Sequence, residues 1–155
     1  MKKKKTTTAR TSTSKRKITR TAKPSARPAR SSTRGATRST ARKVAAFALE
    51  KKAADVLVMD VRKVTDVTRF FIVCTGQSAP QVKAIADHVI DSCRDSKLGV
   101  YHVEGYDSLR WVLIDLVDIV VHVFQPEVRG YYQLERLWGD AQVERVDDAA
   151  AGALS

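Results

Sequence analysis

Apolar positions are densest between residues 100 and 124, VYHVEGYDSLRWVLIDLVDIVVHVF, where turn-forming polar residues interrupt them twice. This pattern predicts three short strands, Val100 to Val103, Trp111 to Asp115 and Ile119 to Phe124. The last is almost wholly β-branched or aromatic, as expected of a strand buried on both faces. Upstream, DVLVMDV (Asp55 to Val61) and FFIVCTG (Phe70 to Gly76) predict two more strands, joined by the polar connection Thr65 to Arg69. Helical spacing appears between them. Val44, Phe47 and Ala48 recur in an Ala-rich segment and predict a first helix ending near Ala54. Ser78 followed by Gln81 forms a capping box, with Pro80 tolerated in the first turn. Val82, Ile85, Ala86, Val89, Ile90 and Cys93 then mark one apolar helix face, which should end between Lys97 and Gly99. Beyond Pro126, VRGYYQLERLW predicts a last amphipathic helix with Tyr131, Leu134 and Trp138 on its apolar side and Tyr132 off it. From Gly139 the chain turns acidic and then Ala-rich, as a fraying tail would.

These elements predict an α/β domain, a five-stranded mixed β-sheet with helices packed on it. Residues 44–141 form the predicted domain and 142–155 a flexible tail. Charge divides the chain differently. Residues 1–43 hold 16 Lys/Arg and no acid, so the net +11 separates into +16 on an arm and −5 on the body. The arm has no aromatic residue and a single isoleucine, Ile18. Such a segment buries too little apolar surface to offset the entropy of ordering and is expected to be disordered alone. Lys2, Lys3, Lys4, Lys5, Lys15, Arg16 and Lys17 suit a non-specific tether to nucleic-acid phosphates. Without aromatics the arm has nothing to stack on bases. A solubilising tail and an organellar transit peptide are the alternatives, the second disfavoured by KKKK and by prolines. No run reaches the ~18 apolar residues of a membrane span. Cys74 and Cys93 stand apart, without metal-ligand spacing, which suits a reducing compartment.

The search for catalytic motifs returns little. GxSxG, P-loop and HExxH signatures are absent. His102 and Glu104 have the H-x-E spacing of zinc deaminases without the P-C-x-x-C that must follow. His122 alternates with Val120 and Phe124, as a hydrogen-bonded core histidine does. Asp115 and Asp118 resemble a metal-binding pair, but they flank a hairpin turn, where Asp commonly serves its own backbone. Thr75-Gly76-Gln77-Ser78 reads equally as a phosphate cradle at a helix N-terminus and as a plain turn with a cap. A nucleotidyltransferase-like enzyme using Gly76, Ser78, Asp115 and Asp118 is one reading, and an RNA-binding protein driven by its arm another. Aromatics point elsewhere. Trp111 at a strand entrance and Tyr132 off its helix's apolar side, near Arg110 and Arg129, have the composition of a protein-binding hot spot. Core packing explains Trp111 equally by pattern alone.

DVLVMDV, FFIVCTGQS, QVKAIADHVI, VEG, WVLIDLVDIVVHVF and RGYYQLERLW, in that order, resemble the ribosomal silencing factor (Iojap) family over roughly Val44 to Ala141. The resemblance implies a non-enzymatic factor without cofactors, nucleotidyltransferase-like in shape but lacking catalytic carboxylates. It implies docking on the large ribosomal subunit through ribosomal protein L-fourteen. Joining of the small subunit is then blocked and translation repressed. It also implies a homodimer when free and a bacterial cytoplasmic location, with mitochondrial or plastid relatives that assist large-subunit assembly. By motif position, Trp111 and Tyr132 are the partner-binding aromatics, and Arg129, Glu104, Gly105, Asp115, His122 and Glu135 also match family positions. Two residues depart from the pattern. Arg69 stands where Asp is common, and Val117 replaces the Gly of a D-x-G-D turn. A β-branched residue at positive φ is strained, so a different turn is expected there.

Overall fold

The computed structural model describes residues 36–149. The expectations placed on Lys2 to Lys17, and on most of the arm, lie outside the described residues. The elements follow in the order α1 (Arg38–Leu49), β1 (Ala54–Asp60), β2 (Phe70–Thr75), α2 (Ala79–Asp95), β3 (His102–Glu104), β4 (Trp111–Asp115), β5 (Ile119–Phe124), α3 (Pro126–Tyr132), α4 (Leu134–Leu137) and β6 (Gln142–Arg145). The fold is α/β with a mixed six-stranded sheet in the order β3-β4-β5-β2-β1-β6. β2 and β5 run parallel at its centre, and the other pairs are antiparallel. β2 and β5 are buried along their whole length, as their unbroken apolar sequences require.

One face of the sheet carries α1 and α2. Ala41, Val44, Ala45 and Ala48 of α1 and Val82, Ile85, Ala86 and Val89 of α2 pack on Val56, Val58, Phe70, Ile72, Val112, Ile114 and Val121. Ser78 caps α2 by accepting from Gln81 N at 3.3 Å, while Gln81 Oε1 accepts from Gln77 N at 2.7 Å. The other face carries the short helices α3 and α4, whose Val128 and Leu134 pack with Met59, Phe71, Val73, Val120 and Phe124.

The structure corrects the sequence reading in four places. The sixth strand is β6, which falls in the segment expected to be a flexible tail. It pairs with β1 from Leu57↔Arg145 to Asp60↔Gln142, and Val146 behind it is buried. The first helix begins six residues before Val44, capped by Thr37. Arg38 and Arg42, counted with the arm by charge, form ion pairs with Asp60 at 2.9 Å and Glu144 at 2.8 Å. Sequence inspection misses these pairs because the acids lie 22 and 102 positions away. The last helix is broken at Gln133, which adopts left-handed φ 46°, ψ 57°. Finally, Val117 keeps the positive φ that its side chain disfavours, at 73°. The loop between β4 and β5 is only three residues long, and a bond from Asp118 N to Leu116 O at 2.9 Å closes a γ-turn around Val117. Asp115 Oδ1 accepts from Val117 N at 2.7 Å and holds that turn in place.

Candidate docking site

Residues of β4 alternate in side. Val112 and Ile114 enter the core under α2, whereas Trp111, Leu113 and Asp115 point to the opposite face and are half-buried. On that face α3 reaches β4 at Trp111, and Leu113 beyond it borders a shallow recess with Glu104 and Gly105. Trp111 stacks on Phe124 with ring centroids 4.9 Å apart and meets Tyr132 at 4.8 Å. Tyr131 stands edge-on to Tyr132 at 5.0 Å. Tyr131 is 82% and Tyr132 51% exposed. Ser108, Arg110, Trp111, Glu127, Val128, Tyr131 and Tyr132 line a groove of about 650 Å³. The two aromatics singled out from sequence thus meet in one place, 21 residues apart in the chain.

The groove is held from three sides. Gly105 approaches Trp111 with φ +77°, and a Cβ there would lie 2.0 Å from the Trp111 carbonyl oxygen. Only glycine fits, which gives the VEG segment a steric reason. Gln125 bridges the approach to Trp111, donating from Nε2 to Leu109 O at 3.0 Å and from its amide to Arg110 O at 2.9 Å. Beneath the aromatics, Trp111 Nε1 donates to His122 Nδ1 at 3.1 Å.

Arg129 is a clamp rather than a surface contact. Its side chain, 15% exposed, donates to Glu135 Oε1 at 2.7 Å, Asp55 O at 2.8 Å and Thr75 Oγ1 at 2.7 Å. Charge-assisted bonds of this kind are about twice as strong as neutral ones. They fasten α3 and α4 to the end of the sheet despite the break at Gln133. His122 is likewise interior, 4% exposed, and burial pushes its pKa down to about 4. Of the remaining family-matched positions, Glu104 is exposed on the open side and pairs with His102 at 3.2 Å. A shallow recess of about 200 Å³ joins Glu104 and Gly105 to Trp111 and Leu113. Asp115 is at the far end of β4, roughly 13 Å along the strand from Trp111, and serves the turn.

The residues of the nucleotidyltransferase-like reading are not brought together. β2 and β5 are parallel, pairing Phe70↔Ile119 and Thr75↔Phe124. Gly76 and Ser78 therefore follow one end of the sheet, and Asp115 and Asp118 lie at the other, roughly 17 Å away. Asp118 Oδ2 accepts from Ala36 N at 3.0 Å. The Thr75–Ser78 junction is a plain turn with a cap: Gly76 N donates to Phe124 O at 2.8 Å, and Val82 leaves no room for a Cβ on Gly76. Arg69, the other departure, packs its Nε into the interior without a hydrogen-bond partner among the described residues. Cys74 and Cys93 are free and buried, and burial pushes Cys74 up to about 12 and Cys93 up to about 11.

Tyr131 is the main groove residue that sequence reasoning misplaced. The continuous helix predicted through Trp138 put it on the apolar side with Leu134. The break at Gln133 turns α4 relative to α3, so Leu134 stays buried while Tyr131 goes to the surface. Leu113 could have been found from its alternation with Trp111 in β4.

Comparison with known proteins agrees with this architecture. Residues 34–154 match the family described as ribosomal silencing factor during starvation. Ribosomal silencing factor RsfS of Bacillus subtilis is 44% identical over 106 residues, 68% of this chain and 90% of that protein. The Chromobacterium violaceum factor is 43% identical over 98 residues, 63% of this chain and 80% of its own. The chloroplastic protein Iojap of Arabidopsis thaliana is 36% identical over 102 residues, 65% of this chain and 42% of that one. A crystal structure of a Chromobacterium violaceum protein aligns with TM-score 0.59 at 38% identity, covering 64% of this chain and 86% of that one. A Bacillus halodurans crystal structure aligns with TM-score 0.58, also at 38% identity, over 63% and 90%. Sequence, fold and extent agree, and the chain belongs to the ribosomal silencing factor family.

Proposed function

We propose that this protein represses translation by docking its Trp111–Tyr132 groove on ribosomal protein L-fourteen of the large subunit, so that the small subunit is excluded by overlap. The observation that carries this reading is the aromatic pair itself, clamped at the edge of the half-covered sheet face. Aromatic anchors beside an arginine are the residue types that dominate binding energy at protein interfaces. A standard interface buries roughly 800 Å² on each partner, a large share of so small a domain. Steric exclusion needs no turnover, and the names borne by its relatives are those of regulatory factors. Arg129, Glu135, His122 and Gly105 serve the docking face from behind, and Glu104 flanks it. When free, the same face closes on a second copy. The basic arm adds a non-specific hold on ribosomal RNA, and the protein acts wherever its ribosome is, in a bacterial cytoplasm or an organelle.

Cosedimentation with purified large subunits tests the reading. Trp111→Ala and Tyr132→Ala should each cost about 2 kcal/mol of binding, roughly thirty-fold in affinity. Wild-type binding by both variants would overturn it. Deleting residues 1–35 should flatten the salt dependence of subunit binding while leaving binding to isolated L-fourteen unchanged. Equal salt slopes with and without the arm would remove the RNA contact from the proposal.

A further inference from the structure

Behind the groove lies a polar contact that packing alone does not require. His122 sits in β5 between Leu113 on one side and Val73 on the other, enclosed by Phe71, Phe124 and Trp111. A phenylalanine would fill such a site without burying a polar ring. The indole Nε1–H can only donate. His122 Nδ1 must therefore be the acceptor, and the proton of the neutral ring resides on Nε2. That Nε2 is buried without a hydrogen-bond partner among the described residues. The ring thus gives up one hydrogen bond and keeps the one to Trp111.

We propose that His122 is a positioning residue for docking: its Nδ1 fixes the rotation of the Trp111 indole, so that the ring lies on Phe124 and meets Tyr132 before any partner arrives. Three contacts define the orientation, the 3.1 Å bond to Nδ1, the 4.9 Å stack on Phe124 and the 4.8 Å approach of Tyr132. Stacking alone lets an indole slide or flip in its plane. A directional bond from its single polar atom removes that freedom. An anchor already in its bound rotamer loses less entropy on binding, which strengthens the complex without a new contact. This inference rests on the groove being the docking surface, and its experiment separates the two.

The full-length protein, labelled with ¹⁵N, is used throughout. In the wild type the Trp111 indole N–H, assigned against a Trp138→Phe variant, should exchange slowly with solvent, and at neutral pH His122 Nδ1 should show the ¹⁵N shift of an unprotonated acceptor. Fast exchange or a protonated Nδ1 would overturn the proposal without any partner present. His122→Phe keeps a ring and removes the acceptor; His122→Asn places an oxygen where Nδ1 was. His122→Phe should bind L-fourteen about ten-fold more weakly and lose the protected indole resonance, and His122→Asn should restore both in large part. A folded His122→Phe with wild-type affinity, or a His122→Asn as weak as His122→Phe, overturns the positioning role. If Trp111→Ala itself binds like wild type, the groove is not the docking surface, whatever the indole spectrum shows.

Discussion

The two faces of the sheet are built from the same strands and end in opposite states. On one, α1 lies over β1 and β2, and α2 over β4 and β5. A helix is about 10 Å across and strands are about 4.8 Å apart, so each helix covers about two strands. That face is closed. On the other, the seven residues of α3 and four of α4 lie over β5, β2 and β1 and reach β4 at Trp111, leaving Trp111, Leu113 and Asp115 half-buried. β5 is buried on both sides, Ile119, Val121 and Val123 on the closed one and Val120, His122 and Phe124 on the other. What distinguishes the closed face from the partly open one here is the reach of the helices laid on it.

Substitutions should separate the faces. Ile72→Ala on the closed side opens a cavity in a fully buried site and should cost about 4 kcal/mol of stability by urea unfolding. The fraction that remains folded should bind L-fourteen normally. A binding defect beyond the unfolded fraction would show that the faces are coupled.

Acid should act next most strongly, and through the open face. His122 is buried neutral, with its pKa lowered to about 4 from 6.5 by desolvation. The folded state therefore binds fewer protons than the unfolded one between those values. This stability is complete above about pH 6.5, falls as pH drops toward 4, and amounts to about 3 kcal/mol. His122→Asn should lack that segment of the stability–pH curve; an identical curve would assign the loss to other groups. Asp60, held low by its hydrogen bond and charge contact with Arg62, contributes stability that is present above about pH 4 and is lost only as pH falls further.

Trp111→Ala should cost about 2 kcal/mol in binding and less than Ile72→Ala in stability, because Trp111 is only half-buried. The reverse order would make Trp111 a core residue and end the contrast. Gly105→Ala should weaken docking indirectly, by pushing the Trp111 backbone, and an unchanged affinity would show that the loop yields instead. The smallest expected effect is a gain. Val117→Gly relieves a β-branched residue at φ 73° and should raise stability by about 1 kcal/mol, with docking unchanged, since this turn is at the other end of β4.

Local features were legible in the sequence. The strands of residues 55–76 and 111–124, the cap at Ser78 and the apolar face of α2 all follow from spacing within a few residues, because backbone hydrogen bonding and side-chain direction repeat at that range. Asp115 serving its turn and His122 lying in the core were readable for the same reason. Trp111 and Tyr132 could be singled out one by one as aromatics at partly exposed positions. Their meeting could not be read, since it depends on α3 returning over the end of β5.

The sequence by itself determined which segments become strands and helices and which of their sides are apolar. Tertiary structure alone decided which apolar side stays open. It also drew Arg38 and Arg42 out of the basic arm to partners in β1 and β6, and added β6 to the sheet. It placed Gly76 and Asp118 at opposite ends of parallel strands. The physical reason is common to all of these: burial and charge pairing depend on what arrives from distant parts of the chain, and a local pattern specifies only the surface offered.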